Sequence, residues 1–143
     1  MARETLVRAA WVLPIASPPI QDGGVLVRDG RIVAVGSFED LRASAGQAVV
    51  ENLGQAIVLP GLVNAHTHLS LTALSSPIPG GIPLLRWLAT VTGEARAMSE
   101  DEVRRSVKEG LEASWRAGTM ALGEITTRAE GVTEIAALPR FSS

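Results

Sequence analysis

A short apolar run, Leu62-Val63-Asn64-Ala65-His66, follows a Pro60-Gly61 turn and leads directly into Thr67-His68. It lacks the polar alternation of a half-exposed strand, so it reads as a strand covered on both faces. Strands of that kind sit in parallel sheets, and parallel neighbours must be joined by long, usually helical, crossovers. The downstream sequence supplies both parts. Met120-Ala121-Leu122-Gly123-Glu124-Ile125 is a second run of the same character. Between the two runs, Glu100 to Ala117 has strong helical features. Ser99 and Glu102 have the spacing of a capping box, and Glu100, Asp101 and Glu102 complement the positive end of the helix dipole. Val103, Val107, Leu111 and Ser114/Trp115 fall on one face. Arg105–Glu109, Lys108–Glu112 and Glu112–Arg116 pair at four-residue spacing on the other, and Gly118 stops the helix. Leu84, Leu88 and Val91 also recur at helical spacing, with Trp87 beside them, and Val132 to Leu138 reads as a final helix. The order after Pro60 is strand, loop, helix, strand, helix, the alternation of a parallel α/β unit.

The residues before Pro60 read differently. Thr5 to Ala9 is a strand that Ala10 to Ile15 continues or pairs with. Gly24 to Arg28 and Arg31 to Gly36 flank Asp29-Gly30, a hairpin signal because both turn residues tolerate positive φ. Ser37 caps a helical turn over 38–42 with Asp40 in third position, and 49–53 and 56–59 are further strands. The two parts divide as residues 1–59 and 60–143. The apolar stretch 9–16 has the look of a signal peptide, but Pro14 interrupts it and Pro18-Pro19 occupy the place of a cleavage site. No stretch reaches the ~18–20 apolar residues of a membrane span. Thirteen Lys+Arg against 15 Asp+Glu argue against phosphate-neutralising nucleic-acid binding. The absence of Cys removes disulfides, thiolate zinc sites and cysteine nucleophiles, and it is consistent with a cytoplasmic location.

The chain has only two histidines, His66 and His68. Residues i and i+2 of a strand project from one face, and parallel α/β folds place their sites at the carboxyl ends of strands. Two imidazoles there can share one divalent cation; the plainer reading is a pair of polar loop residues. Glu124 closes the second apolar run, where it either contacts a substrate or serves the structure around the site. Trp87 either lines a pocket or joins a helix core. The Ser75–Pro83 segment, with Pro77, Pro79, Gly80, Gly81 and Pro83, reads as a loop, of which Pro77–Pro83 is expected over the mouth of the site; no Gly-Lys-Ser/Thr follows to make it a phosphate cradle. The charge-paired helix 100–117 reads as a solvated outer helix with no part in the site.

The run Val58-Leu59-Pro60-Gly61-Leu62-Val63-Asn64-Ala65-His66-Thr67-His68-Leu69 closely resembles the first metal-binding motif of the amidohydrolase superfamily. Residues 28–36 resemble part of the N-terminal β-sandwich of those enzymes. Ile82 to Leu88 resembles the pocket-edge helix of the branch that holds cytosine, guanine, adenosylhomocysteine and aminofutalosine deaminases and triazine hydrolases. Ala117 to Ile125 resembles the second barrel strand. The resemblance implies part of a β-sandwich, then the first two β/α units of an incomplete (β/α)8 TIM barrel. It implies His66 and His68 as two ligands of one Zn²⁺ or Fe²⁺, and Trp87 and Glu124 as candidate substrate contacts. It implies hydrolytic deamination of a small aminated heterocycle, nucleobase-like or purine-nucleoside-like, with a homo-oligomer among the expected partners and neither nucleic acid nor membrane. The family's further histidines, glutamate acid/base and aspartate have no matching position here. A full barrel takes about 250 residues, more than this whole chain of 143. The expectation is therefore an N-terminal fragment. The rival expectation is a chain without catalysis of its own, an incomplete fold or a self-associating interaction piece.

Overall fold

The structure is a computed structural model and describes residues 4–74, 78, 80–126 and 128–137. The fold is mixed α/β, in two compact units; one runs to Pro60 and the other starts at Gly61.

The first unit is a five-stranded sheet. Strand β1 (Glu4–Val12) is one continuous strand, where the sequence left open a break after Ala9. It pairs antiparallel with β2 (Ile20–Arg28), and β2 pairs antiparallel with β3 (Arg31–Ser37). The turn between them is the expected one: Asp29 has φ 49° and Gly30 φ 77°, the positive values of a two-residue hairpin turn. The other edge of β1 is shared by two parallel strands, β4 (Val49–Asn52) along residues 5–8 and β5 (Ile57–Val58) along residues 11–12. Helix α1 (Phe38–Ser44) starts where predicted, with the Ser37 hydroxyl accepting from the Asp40 N–H at 3.2 Å.

Pairing register explains the core. Leu6 lies opposite Leu26, and Leu26 opposite Ala34, so one row crosses three strands on one face. Leu41 of α1 and its C-cap Ala45 pack on that row, with Phe38 and Ala48 beside them, and Leu6 is fully buried. Gly24 permits the close approach: a Cβ there would lie 3.1 Å from the Leu41 side chain and 3.4 Å from the Phe38 backbone. Arg8 lies over the Phe38 ring at 4.4 Å and donates to Asp22 at 2.7 and 2.9 Å. The described residues supply this one sheet and one covering helix, not a second facing sheet.

The second unit begins with β6 (Leu62–Thr67), which pairs in parallel with β7 (Thr119–Glu124). Between them lie a 3-10 turn (Leu69–Leu71), α2 (Leu84–Ala97) and α3 (Glu100–Arg116); α4 (Ala129–Ala137) follows β7. The loop expected over 75–83 falls partly on residues 75–77 and 79, and the end expected at Leu138 also lies outside the described residues. The capping box is present, with the Glu102 N–H donating to Ser99 Oγ at 3.3 Å and the Ser99 N–H to the Glu102 carboxylate at 2.8 Å. The Ser99 N–H and hydroxyl hold the Glu102 carboxyl below the usual carboxylate range. That contribution is present above the unfolded-state value and is lost as pH falls through the folded one. At the other end of α3, Gly118 takes φ 83° and its N–H donates to the Trp115 carbonyl at 2.8 Å.

Two expectations need correcting. The buried face of α3 is Val103, Ser106, Val107 and Gly110, whereas Leu111 is half-buried and Trp115 is exposed. The buried stripe ends at Gly110, where a Cβ would meet Leu69 and Thr72. Strands β6 and β7 are also not covered on both faces. Leu62 is 49% exposed, Val63 71% and Met120 61%, since among the described residues each strand has the other as its sole strand neighbour.

Two outcomes follow. Leu6→Ala should cost the first unit about 2–5 kcal/mol, because it empties a fully enclosed site, and urea titration will read it. The 143-residue chain should self-associate through its bare parallel strands and bind hydrophobic dyes. A monomer by light scattering that melts cooperatively and binds no dye would contradict that.

Candidate metal centre

Where β6 ends, the chain turns. His66 is still in the strand, and His68, with φ −129° and ψ 77°, leads into the 3-10 turn. The two rings come together, their centroids 5.1 Å apart and their planes at 78°. Both residues are exposed, and the Asn64 side chain accepts the His66 N–H at 3.2 Å. The sequence-predicted pair is thus one side-chain cluster at the carboxyl end of a parallel strand.

The end of β7 holds the second histidine. His68 Nδ1 lies 2.7 Å from the Ile125 carbonyl oxygen. A carbonyl only accepts, so Nδ1 carries the hydrogen, and in the neutral ring the lone pair is on Nε2. The Ile125 N–H in turn donates to the Thr67 carbonyl at 2.8 Å. Glu124 accepts the Leu69 N–H with both carboxylate oxygens, at 3.1 and 2.9 Å. Glycine lets the strands approach here, because a Cβ on Gly123 would run into the Ala65 carbonyl.

Leu69 is only 2% exposed, so its backbone groups need protein partners. Glu124 takes the N–H; the carbonyl accepts the Thr72 N–H of the turn at 3.1 Å and a second bond from Ser106. The fully buried Ser106 hydroxyl donates to the Leu69 carbonyl at 3.0 Å and accepts the Ala73 N–H at 2.9 Å. Gly110, one turn further along α3, leaves room for the 3-10 turn; a Cβ there would lie 3.0 Å from the Leu69 side chain. An unpaired buried N–H or C=O costs about 1–3 kcal/mol, and a hydrogen bond to a charged group contributes about 1.5–3 kcal/mol.

Helix α3 is therefore more than a solvated outer helix, since its buried face fixes the turn that follows His68. Sequence reading missed Ser106 and Gly110. Their signal was present: two small residues at four-residue spacing on the stripe of Val103 and Val107. Trp87 is on α2, 40% exposed, beside the exposed Leu84, Leu85 and Leu88.

The donor set suits part of a metal site. Neutral imidazole nitrogen is a good ligand for Zn²⁺ and for iron, and a ligating ring is commonly fixed through its other nitrogen, as His68 is here. The set is incomplete, because zinc sites use at least three protein ligands. Among the described residues, no cluster of three His, Cys, Asp or Glu could hold a metal ion.

Comparison with known proteins finds similarity along most of the chain. Residues 57–138 match the model of the amidohydrolase family, and residues 23–48 match a bacterial imidazolonepropionase-like composite domain. A 5-methylthioadenosine/S-adenosylhomocysteine deaminase of Nitratidesulfovibrio vulgaris, strain Miyazaki F, is 35% identical over 107 residues, which is 74% of this chain and 24% of that protein. The structure of Helicobacter pylori aminofutalosine deaminase in complex with methylthio-coformycin superposes with a TM-score of 0.80 at 22% identity, over 94% of this chain and 33% of that one, a likeness of fold. An adenosine deaminase from Xanthomonas campestris with bound zinc gives 0.68 at 28% identity, over 90% of this chain and 30% of that one. The chain spans about a quarter of the length of the curated relatives it matches. With the family model matching more than half of its residues, from β5 through α4, this chain belongs to the amidohydrolase family.

Proposed function

We propose that this chain carries the first ligand pair of a metal-dependent hydrolytic deaminase. In this reading residues 1–59 are a β-sandwich segment and residues 60–143 begin a (β/α)8 barrel, an N-terminal portion of the complete enzyme. The observation that carries it is the histidine pair: two rings 5.1 Å apart at a strand end, one with its Nδ1–H fixed by a backbone carbonyl. The substrate class is a small aminated heterocycle, nucleobase-like or purine-nucleoside-like. Its support is the company of relatives, which includes 5-methylthioadenosine/S-adenosylhomocysteine, aminofutalosine and guanine deaminases. The reaction is hydrolysis: water adds at the ring carbon, the bond to the exocyclic nitrogen breaks, and ammonia leaves.

His66 and His68 would hold a divalent cation, Zn²⁺ or Fe²⁺, as two of its ligands. When bound, such a cation lowers the pKa of water enough to give a nucleophile at neutral pH. The chain's own residues do the positioning. Strand β6 presents His66 and leads into His68, Ile125 just past β7 fixes His68, and Ser106 and Gly110 of α3 hold the turn that follows. Trp87, exposed on α2, remains a proposed substrate contact; Glu124 is already engaged with Leu69.

The 143-residue chain by itself should have no turnover, because it contains no third histidine to complete the ligand set. An ammonia-release assay on aminopurines and aminopyrimidines with added Zn²⁺ or Fe²⁺ checks this. Turnover that disappears in His66→Ala would show instead that the site is completed between chains. Zn²⁺ should bind weakly, above the micromolar range, and His66→Ala or His68→Ala should each abolish binding in calorimetry. Binding unaffected by both substitutions would remove the metal reading altogether.

A further inference from the structure

We propose that Glu124 is a positioning residue, whose carboxylate pins Leu69 and so keeps His68 in its Nδ1–H form with Nε2 offered outward. The cation part of this inference rests on the metal reading above; the ring part does not.

The strand ladder ends one residue too early to do this work. Its last bond near the site runs from the Ile125 N–H to the Thr67 carbonyl at 2.8 Å. The chain then leaves strand geometry at His68. Leu69, almost fully buried, points its N–H where no strand carbonyl follows, and the two Glu124 oxygens at 2.9 and 3.1 Å take it. The next residue of β7's exit, Ile125, places its carbonyl 2.7 Å from His68 Nδ1. Adjacent residues of one strand end thus grip adjacent residues of the other. If Leu69 is released, the His68 backbone is free to rotate and its ring slips off the Ile125 carbonyl. Water then competes for Nδ1, and the Nε2–H tautomer, which an imidazole side chain prefers in water, grows at the expense of the ligand lone pair. The carboxylate already spans the Leu69 N–H with both oxygens. That engagement sets Glu124 behind the histidine pair, as part of its support, not in front of it as a substrate contact.

The chain's two histidines make the test direct. Nitrogen-15 spectra of histidine-labelled protein, in solution or on a sedimented sample, resolve four ring nitrogens, with His66 as the internal control. At a pH about two units above the ordinary imidazole value, wild-type His68 should be the Nδ1–H form and the Leu69 amide should exchange slowly. A rapidly exchanging Leu69 amide or an Nε2–H His68 in wild type overturns the proposal without any variant. In Glu124→Ala the His68 signals should move toward the Nε2–H form while His66 stays. In Glu124→Gln, whose side-chain carbonyl can still accept from Leu69, they should stay near wild type. Cu²⁺ is the probe for the cation part, since it is the tightest-binding first-row divalent ion. Its affinity, read by electron paramagnetic resonance, should fall about tenfold or more in Glu124→Ala and recover in Glu124→Gln. Equal damage in both variants, or none in Glu124→Ala, overturns the proposal. Wild-type protein with the expected ring form but no Cu²⁺ binding would defeat the metal reading and leave the positioning role standing.

Discussion

A buried peptide group must find partners within the protein, and Leu69 meets that demand at the point where regular strand pairing stops. Its side chain fills the space beneath α3, which takes its backbone out of water just as the chain leaves β6. No ladder bond is available to its N–H, which goes to Glu124, and its C=O takes the Ser106 hydroxyl from α3 beside the Thr72 N–H of the turn itself. One residue thereby couples the end of β7, the middle of α3 and the turn after the histidines. The cluster of His66 and His68 inherits its geometry from this arrangement, because His68 lies between the last ladder bond and the anchored peptide.

The sequence made much of this legible for local reasons. Asp29-Gly30, Ser37 with Asp40, and Ser99 with Glu102 are signals whose physics lies within a few residues, and each turn or cap stands where those residues put it. The histidine pair was legible from its i, i+2 spacing at the end of an apolar run, although His68 itself lies just past the strand, where the start of the turn still keeps its ring beside His66. What could not be read was tertiary. The role of Ser106 depends on where the turn after β6 passes, and nothing near Ser106 in sequence says so. Leu111 and Trp115 continue the helical period of Val103 and Val107, but period says which face is apolar, not how far along the helix a neighbour extends. The bareness of β6 and β7 is of the same kind. Apolar runs announce a demand for cover, and only the contacts show whether cover is supplied.

The two units meet their burial requirements differently. In the first, register aligns Leu6, Leu26 and Ala34 across three strands, and a helix of seven residues is enough to close that row because Gly24 lets it sit close. In the second, the dry centre lies on one side only, between α3, α4 and the 3-10 turn. The parallel strands that present the histidines keep much of their apolar surface in water. The most deeply buried part of the second unit is thus the support for the turn, not the sheet that leads into it.

The Ser106 hydroxyl closes on Ala73 as well as on Leu69. It ends the anchored turn before the proline- and glycine-rich stretch that leads to Leu84 begins. The two side chains that anchor the turn thus come from later in the chain, Glu124 from β7 and Ser106 from α3. A substitution at Ser106, far from the histidines in sequence, therefore bears on the turn that leaves them, and the carboxyl end of β6 is secured only once the helix and strand that follow it have been added to the fold.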